Sequence, residues 1–415
     1  MHYKYIILGA GCAGLSLCWY LLEAGVRDPI LILERKTGFA NDRTWCFWDT
    51  EPTPFTHLAT HRWPAWEVRR DHDAKAVRAT APATPYVRLR ADDFYQTVLA
   101  RIRVHPNVTI QLGVQVTDSC HDDGAPGVCV ATSAGVFRGD MLFDGLALSS
   151  PRYPAPHAGD VTFLQQFFGQ FIRTPSDVFD TGTVTLMDFG GGTVAGKSLS
   201  AEVSFMYLLP LSPREALVER TVLRASGCGA INHPARAENA ALNRCEISVY
   251  LGERYGLSDF QVLREEHGLI PMTNRPFLSQ GSRPVYPIGL AGGAARPSSG
   301  YAFLRIQRNC RALALALVHG GGKMPRPSVT QNRTAFLDRI FLRAMYQNPV
   351  SVPGYFERLF SRVAPDRLVR LLSDSASLLD CAAVVRALPP ADFIRAAVCE
   401  MHSAGTGTGC TGRPF

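Results

Sequence analysis

Residues 5–15 have the sequence Tyr5-Ile6-Ile7-Leu8-Gly9-Ala10-Gly11-Cys12-Ala13-Gly14-Leu15, and this stretch decides the fold of the chain. The apolar run up to Leu8 predicts a buried β-strand, and the spacing of apolar residues from Leu15 to Leu22 predicts a helix. A second apolar run, Ile30-Leu31-Ile32-Leu33, predicts another strand after the helix. Strand, helix and strand in this order indicate a βαβ unit and an α/β fold of the Rossmann type.

The glycines of this unit have the G-x-G-x-x-G spacing of a dinucleotide-binding turn. Gly9 permits a tight turn, Gly11 lets the backbone approach a pyrophosphate, and Gly14 allows helix and strand to pack closely. Glu34 follows Gly14 by about 20 residues, where the fingerprint expects an acid that accepts hydrogen bonds from ribose hydroxyls. The spacing fits FAD, NAD or a glycine turn without a cofactor. A long remainder that must also house a substrate favours FAD.

The composition argues against several classes of protein. A net charge of +7 over 415 residues is too small for a dedicated nucleic-acid binder, and it is compatible with contact to anionic lipid or an acidic cofactor. The 11 cysteines form no C-x-x-C pair and the histidines form no H-E-x-x-H motif. We therefore expect a cytoplasmic enzyme with buried thiols and no metal site. We also expect no signal peptide, and no apolar run reaches the roughly 18 residues of a transmembrane helix.

The middle of the chain predicts a sheet over a hydrophobic cavity. Segments rich in aromatic and branched residues at 163–172, 184–187 and 204–209 are separated by glycine and proline, which favours a mixed or antiparallel sheet. Glu219 lies in the middle of the apolar strand predicted over 216–221. A carboxyl group in such a strand has a raised pKa and can donate a proton near neutral pH. The alternative is a structural carboxylate paired with arginine.

The C-terminal part of the chain predicts amphipathic helices. An apolar stripe at 336–345 leaves Arg339 and Arg343 off the stripe. This pattern fits the solvated basic face of a helical cap, or a basic surface that docks on a membrane. The predicted domains are a discontinuous FAD-binding domain over 1–160 and 280–320, a substrate-binding sheet over 161–279, a helical, membrane-associated region over 321–403 and a disordered tail over 404–415.

An aromatic cluster follows the second strand, in the segment Asn41-Asp42-Arg43-Thr44-Trp45-Cys46-Phe47-Trp48. Loops at this point line the ligand crevice of doubly wound folds. Aromatic side chains equally serve as core. Position alone leaves both interpretations open.

Several stretches together resemble a known family over nearly the whole chain. Besides the glycine fingerprint they are 41–48, Phe205-Met206-Tyr207-Leu208-Leu209-Pro210 with Leu217-Val218-Glu219-Arg220-Thr221, Glu265-Glu266-His267-Gly268-Leu269-Ile270-Pro271-Met272, and Gly292-Gly293 through Pro297-Ser298-Ser299-Gly300-Tyr301-Ala302-Phe303. This combination resembles the FAD-dependent lycopene cyclases, specifically the bacterial lycopene β-cyclases. The R-T-W and P-S-S-G-Y segments carry most of the specificity.

The resemblance implies a non-redox cyclisation in which the linear ends of lycopene close into β-ionone rings, giving γ-carotene and then β-carotene. It implies reduced FAD, with NADPH as the reductant, and a hydrophobic carotenoid substrate delivered at a membrane. A reduced, anionic flavin can stabilise a carbocation electrostatically.

The resemblance also implies roles for individual residues. Glu219 matches the catalytic glutamate of the family's L-[VI]-E-x-T segment. The predicted substrate-lining residues are Trp45, Phe47, Trp48, Phe205 and Tyr207. The predicted cofactor-binding residues are Gly9, Gly11, Gly14, Glu34, Arg43, Gly292, Gly293, Ser299 and Gly300.

The segment from Gly289 to Gly300 also resembles, in spacing, the second FAD motif of flavin hydroxylases, G-D-x-x-H-x-x-x-P-x-x-G. Leu290 stands where the hydroxylases have Asp, and Gly293 where they have His, so the carboxylate that contacts the ribityl chain is missing. This departure argues against monooxygenase chemistry and not against FAD. We expect the backbone N–H groups of Ser299 and Gly300 to open the next helix and face the flavin. The alternative function is an FAD-dependent monooxygenase or an isoprenoid reductase on the same fold.

Overall fold

The N-terminal βαβ unit forms as the sequence predicts. A computed structural model of the chain describes residues 2–121, 127–146, 159–191, 202–225, 240–275, 277, 284–319 and 329–406. The unit consists of β1 (His2–Leu8), α1 (Cys12–Glu23) and β2 (Ile30–Leu33). Both strands are parallel neighbours in one sheet, and their apolar side chains are buried because helices cover the sheet.

This nucleotide-binding sheet has the strand order β8-β2-β1-β11-β10-β9, with β17 paired to β11. The strands on both sides of β1 run parallel to it, while β9 and β10 are antiparallel additions. One continuous strand, β11, pairs with β10 along its first part and with β1 along its second part. The remaining bounds are β8 (Val108–Gln111), β9 (Val116–His121), β10 (Val128–Thr132), β11 (Gly135–Asp144) and β17 (Val285–Pro287).

Two further helices pack with α1 against the nucleotide-binding sheet. They are α2 (Ala91–Arg103), which begins with two acids at the positive end of its dipole, and α4 (Phe303–His319). Together with α1 they bury one apolar core around Ile7 and Ile32.

A second, mixed sheet follows with the strand order β16-β12-β15-β14-β13-β5-β6. Its strands are antiparallel except for the parallel pair β13 and β5. It confirms the predicted mixed sheet, and it recruits β5 and β6 from within the range assigned to the FAD-binding domain. The bounds are β5 (Ala65–Arg69), β6 (Val77–Thr80), β12 (Thr162–Arg173), β13 (Thr183–Asp188), β14 (Glu202–Ser212), β15 (Glu215–Ala225) and β16 (Gln261–Thr273).

Each face of the mixed sheet packs on a different layer. One face packs on α3 (Ala240–Tyr255) through residues such as Met206 and Val218. The opposite face carries Phe163, Leu209 and Leu217, and it packs on the C-terminal helices in the largest apolar cluster of the described residues. Glu219 and its cross-strand neighbour Tyr207 also lie on this second face.

A small antiparallel sheet, β3 (Thr44–Trp48), β7 (Tyr86–Arg90) and β4 (His61–Trp63), lies between the two large sheets. The side chains of β3 alternate between the two cores, as the period of a strand requires. Phe47 belongs to the core of the nucleotide-binding sheet, and Trp48 belongs to the core beneath the mixed sheet.

The C-terminal region is helical, as predicted. It consists of α5 (Val329–Gln347), α6 (Val352–Arg362), α7 (Pro365–Leu372), α8 (Leu378–Ala387) and α9 (Pro390–Thr406). Because α9 continues to Thr406, residues 404–406 are helical rather than part of a disordered tail; 407–415 and the glycines at 320–322 lie outside the described residues. Within the described residues, no helix combines the length and apolarity needed to span a membrane.

Two arginines that contact the C-terminal helices are buried rather than solvated. Arg343, predicted to lie off the apolar stripe, is buried and bonds Glu400 of α9 at 2.9 Å. Arg296 is 1% exposed and forms a two-pronged ion pair with Asp338 of α5. It also donates to the carbonyl oxygen of Leu371. Arg296 therefore fastens the C-terminal helices to the second glycine segment.

Candidate active site

The glycine turn between β1 and α1 has the geometry that its spacing predicts. Gly9 has φ +89°, a conformation that side chains disfavour. A Cβ at Gly14 would lie 2.0 Å from the carbonyl oxygen of Gly9, so helix and strand require a glycine there. A Cβ at Gly11 would meet no atom of the described residues within 4 Å. The space in front of Gly11 and the free N–H groups of the first turn of α1 form a cradle suited to an anion.

The acid at the end of β2 is already oriented by the backbone. The Glu34 carboxylate accepts hydrogen bonds from the backbone N–H of Ala10 at 2.6 Å and of Lys36 at 2.8 Å. It is 8% exposed and lies beside the glycine turn. The contact of Glu34 to a ribose hydroxyl stays a prediction. The position of its carboxylate beside the glycine turn is suited to that contact.

The second glycine segment folds back onto α1. A Cβ at Gly289 would lie 2.6 Å from that of Ala13, in the first turn of α1. Gly292 and Gly293 belong to the following turns, and a Cβ at Gly292 would lie 2.5 Å from the carbonyl oxygen of Pro287. The fold thus brings two glycine segments that are far apart in sequence to the same end of α1.

The amides of Ser299 and Gly300 correct one expectation. Both donate to the carbonyl oxygen of Arg296, at 3.3 and 2.9 Å, because the chain makes a tight turn through Pro297. They are therefore not free to face a flavin, and α4 begins only at Phe303. The buried Ser299 hydroxyl, by contrast, has no hydrogen-bond partner among the described residues.

Arg43 is exposed at the start of β3, and its guanidinium donates to the carbonyl oxygen of Asp42 at 2.6 Å. Its contact to a cofactor stays a prediction.

A pair of carboxyl groups lies at the centre of the mixed sheet. Glu219 of β15 and Glu266 of β16 both pair in register with Gly169, which lies on the strand between them. A Cβ at Gly169 would come within 2.7 Å of the Glu219 Cγ atom. The missing side chain therefore opens the gap through which the two carboxyl groups meet and form a hydrogen bond.

Glu266 is held by hydrogen-bond donors and cations. It is 4% exposed, accepts a hydrogen bond from the Thr44 hydroxyl at 3.0 Å and lies 3.4 Å from the Arg264 guanidinium. Burial raises the pKa of Glu266, while Arg264, Thr44 and Arg88 favour its ionised form. We therefore assign the negative charge of the pair to this residue.

Among the described residues, no such hydrogen-bond donor or cation lies beside Glu219. Burial, followed by the charge of Glu266 and the hydrogen bond to it, raises the pKa of Glu219 well above the usual range of a glutamate. We therefore assign the proton of the pair to Glu219. Its side chain retains some accessible surface although it lies deep in the protein, so that surface faces an internal space.

A line of tyrosine hydroxyl groups runs from Glu219 toward the C-terminal helices. Tyr207 is the cross-strand neighbour of Glu219. Its hydroxyl lies 3.2 Å from that of Tyr86, which donates to the hydroxyl of Tyr301 at 3.3 Å. Burial raises the pKa of all three groups, and it raises the pKa of the nearby Cys46 thiol to about 12. These groups stay neutral, so the carboxyl pair carries the titratable proton of the site.

A large apolar cavity begins where this line ends. Its volume is about 310 Å³, within the range of about 300–1,000 Å³ of small-molecule sites. Trp48 and Tyr301 form its inner wall, and apolar side chains of α5 to α9 form the rest, including Phe341, Phe360 and Phe393. Glu219 is not in the cavity wall, and the tyrosines lie between it and the cavity.

The predicted substrate-lining aromatics divide between the two faces of β3 and β14. Trp48 lines the cavity, and Phe205 and Tyr207 lie on the face of the mixed sheet that carries Glu219. Trp45 and Phe47 point the opposite way and pack on Phe303, with Phe47 stacked at 4.6 Å. The structure therefore does not bring Trp45 and Phe47 to the cavity.

The residues to which sequence reasoning gave no role in the site are Glu266, Gly169, Tyr86 and Tyr301. Glu265 and Glu266 are adjacent acids, and only strand alternation separates them: Glu265 bonds the exposed Arg244 at 2.7 Å, and Glu266 points inward. Gly169 could have been noticed as a lone glycine inside an aromatic strand, which often marks a close approach.

The comparisons with known proteins show the family of the chain. The family model described as lycopene cyclase protein matches residues 5–398. The chain belongs to the lycopene cyclase family. A lycopene beta-cyclase from Pantoea ananas is 26% identical over 308 residues, which cover 72% of this chain and 71% of that protein. The resemblance predicted from the sequence is confirmed, and membership of this family makes the chain an enzyme of carotenoid cyclisation.

Solved structures of flavoenzymes share the fold of this lycopene cyclase family member. A flavin-dependent brominase superposes with a TM-score of 0.61 at 15% identity, covering 98% of this chain and 100% of its own. HpxO of Klebsiella pneumoniae in complex with FAD and uric acid superposes with a TM-score of 0.59 at 14% identity, covering 94% of this chain and 98% of the HpxO chain. The predicted fold class is confirmed.

Proposed function

We propose that this enzyme closes the linear ends of lycopene into β-ionone rings, first to γ-carotene and then to β-carotene, by an acid-initiated reaction that neither oxidises nor reduces the substrate. The observation that carries the proposal is Glu219, a carboxyl group deep in the protein whose pKa is raised by burial and by Glu266. A line of tyrosine hydroxyl groups connects it to an apolar cavity. A hydrocarbon offers no polar group for recognition, and the cavity wall is correspondingly apolar.

The proposed reaction begins with a proton from Glu219. The proton bonds to a carbon of the terminal alkene, and the tertiary cation that results is attacked by the neighbouring alkene, which forms the ring bond. Loss of a ring proton to a base restores neutrality, so the product is an isomer of the substrate. General acid catalysis of this kind contributes about 10²- to 10⁴-fold in rate.

The cofactor proposal is FAD in its reduced form, with NADPH as the reductant. The cradle at Gly11, the first turn of α1 and the oriented Glu34 carboxylate are suited to a dinucleotide, and the segment at 289–300 folds against the same end of α1. A reduced flavin bound there would supply negative charge that stabilises a carbocation. The chain's own part is to hold that group, exclude water and keep the proton on Glu219.

Product analysis tests the function. Lycopene is incubated with the enzyme, FAD and NADPH without oxygen. The pigments are then separated by chromatography, and their molecular masses are determined by mass spectrometry. The expected result is a product of unchanged mass with one or two rings, and a loss of at least about 100-fold for Glu219→Gln. Glu265→Gln, which removes a half-buried acid on the other face, is the matched control. A product that gains hydrogen or oxygen would support the reductase or monooxygenase alternative instead.

We also propose that the enzyme collects its substrate from a membrane surface through α8 and α9. Val385 and Ile394 line the cavity and are nevertheless 57% and 63% exposed, so the cavity reaches the surface between these helices. Leu379 is also exposed there, and the exposed Arg386 and Arg395 supply charge complementary to anionic lipid.

Flotation with vesicles tests the docking surface. The enzyme is expected to float with vesicles containing phosphatidylglycerol, and Leu379→Asp with Ile394→Asp is expected to abolish flotation. Val136→Asp is the control, because Val136 is 60% exposed on the β10–β11 hairpin, away from the cavity mouth. Equal flotation of both variants would contradict the proposed surface.

A further inference from the structure

The structure assigns Glu266 as the positioning residue that keeps Glu219 protonated, so that the two glutamates work as a pair holding a single proton. This inference rests on the proposed function, in which Glu219 is the acid. It concerns a residue to which neither the family resemblance nor the sequence pattern gave a role.

The geometry of three adjacent strands carries the inference. Gly169 is the register partner of both glutamates, and its missing side chain lets carboxyl groups from β15 and β16 meet across β12. An ordinary sheet would hold such residues two strands apart, about 10 Å, with a side chain between them. The contact of the carboxyl groups is therefore built by the choice of glycine at 169.

The surroundings of the pair are asymmetric, and this asymmetry decides which carboxyl keeps the proton. Cations and the Thr44 hydroxyl lie on the Glu266 side: Arg264 on β16, Arg88 on β7 and Arg43 at the start of β3. On the Glu219 side lie the neutral Tyr207 of β14 and the neutral Cys46 of β3. Two adjacent carboxyls cannot both ionise easily in a dry site.

The pair also helps after the proton has left. Transfer to the alkene forms a C–H bond and leaves carboxylates on both Glu219 and Glu266 as the substrate becomes a cation. Two negative charges then face one positive charge in a site of low dielectric, which favours the charge-separated state. The ring proton released at the end restores the overall proton balance.

The test is the pH dependence of the complete enzyme with FAD and NADPH under anaerobic conditions. Lycopene conversion is expected to fall as the pH rises, since the acid loses its proton. Glu266→Gln removes the neighbouring charge and should move this alkaline limb downward by at least about one pH unit, equivalent to about tenfold less protonated acid at a given high pH. Part of the rate should return at lower pH. A merely structural role would lower the rate equally at all pH values.

Two further variants guard against misfolding and non-specific effects. Glu266→Asp keeps the charge and should keep the alkaline limb near that of the wild type, even if the rate falls. Glu265→Gln changes the adjacent residue, whose carboxylate bonds Arg244 and Gln170 on the other face. The pH profile of this variant should coincide with that of the wild type. An unchanged limb in Glu266→Gln would overturn the inference.

An infrared measurement separates this inference from the proposed function. The C=O stretch of a protonated carboxyl should be present in the wild type and absent in Glu219→Gln. As the pH is raised, the band should disappear at a lower pH in Glu266→Gln than in the wild type. The measurement requires no turnover. If lycopene is not converted and the band behaves as stated, the proposed function is contradicted, while the inference that the two glutamates share one proton is supported. If lycopene is converted and Glu266→Gln shifts neither the band nor the alkaline limb of the pH profile, the inference about the pair is contradicted and the proposed function is supported.

Discussion

Glu219 combines a functional advantage with a cost in stability. Its pKa is raised in the folded protein, so the folded state holds the proton more tightly than the unfolded chain does. As the pH rises above the unfolded value of about 4.3, the unfolded state gains by releasing the proton, and the fold loses stability until the folded pKa is passed. The residue that makes the site acidic therefore weakens the fold at neutral pH.

This cost predicts that Glu219→Gln is inactive and yet more stable than the wild type at pH 8. The difference in Tm between the two proteins should be small near pH 3, which lies below the pKa of Glu219 in both states, and should grow toward pH 8. Each kcal/mol corresponds to a shift on the order of 2 °C. Thermal unfolding followed by circular dichroism at several pH values measures it. A difference that does not change with pH would contradict the assigned protonation.

The same residue shows where prediction from sequence stops. Glu219 could be found because it interrupts an apolar strand. Glu266 could not be chosen over Glu265, because the choice depends on which face of β16 packs inward, and the segment at 264–267 is polar on both faces. The meeting of the two carboxyls depends on Gly169, a residue about 100 positions away, and on strand register that no local pattern contains.

At the scale of elements, the turn between β1 and α1 separates two kinds of glycine. Gly14 is required by the protein itself, because a Cβ there would overlap the carbonyl oxygen of Gly9. Gly11 has room for a Cβ and an ordinary negative φ of −84°. The protein fold therefore gives no reason for glycine at 11, and the proposed pyrophosphate does.

Gly11→Ala and Gly14→Ala are accordingly expected to fail in different ways. The alanine at 11 should leave the Tm of the cofactor-free protein within about 1 °C of the wild type and weaken FAD binding at least tenfold. The alanine at 14 should lower the Tm of the cofactor-free protein itself. Fluorescence titration with FAD and thermal unfolding measure the two effects. Unchanged FAD affinity in Gly11→Ala would argue against the proposed cradle.

The elements were more predictable than their connections. The apolar runs at β1, β2 and β12 and the helical period of α1 gave the right element types, because each has a clear pattern. The continuity of β11 could not be foreseen, since the polar residues Arg138 and Asp140 interrupt the apolar pattern where the strand passes from β10 to β1.

At the scale of the whole molecule, a buried ionic network holds the C-terminal helices over the cavity. Arg296 leaves the second glycine segment and pairs with Asp338 of α5, while Asp374, after α7, binds Arg305 at 2.6 Å and Arg308 at 3.4 Å, both from α4. These ion pairs connect the nucleotide-binding half to the C-terminal helices that line the cavity. Removing one partner of a buried pair leaves an uncompensated charge.

Arg296→Met is expected to destabilise the protein by about 3–5 kcal/mol, because Asp338 then loses its main partner in the interior. Urea unfolding measures the change. Arg70→Met is the control, since Arg70 pairs with Asp71 and Glu357 at the surface and should cost less than about 1 kcal/mol. A small effect of Arg296→Met would show that the helices are held by apolar packing alone.

The alternation of β3 has a consequence for how this protein can evolve. Its odd-numbered side chains, Trp45 and Phe47, complete the core beside the cofactor half, and its even-numbered ones, Thr44, Cys46 and Trp48, serve the carboxyl pair and the cavity. Substitutions within either set can accumulate one at a time. Insertion or deletion of one residue would exchange the two sets at once, so the length of this strand is fixed more firmly than its composition.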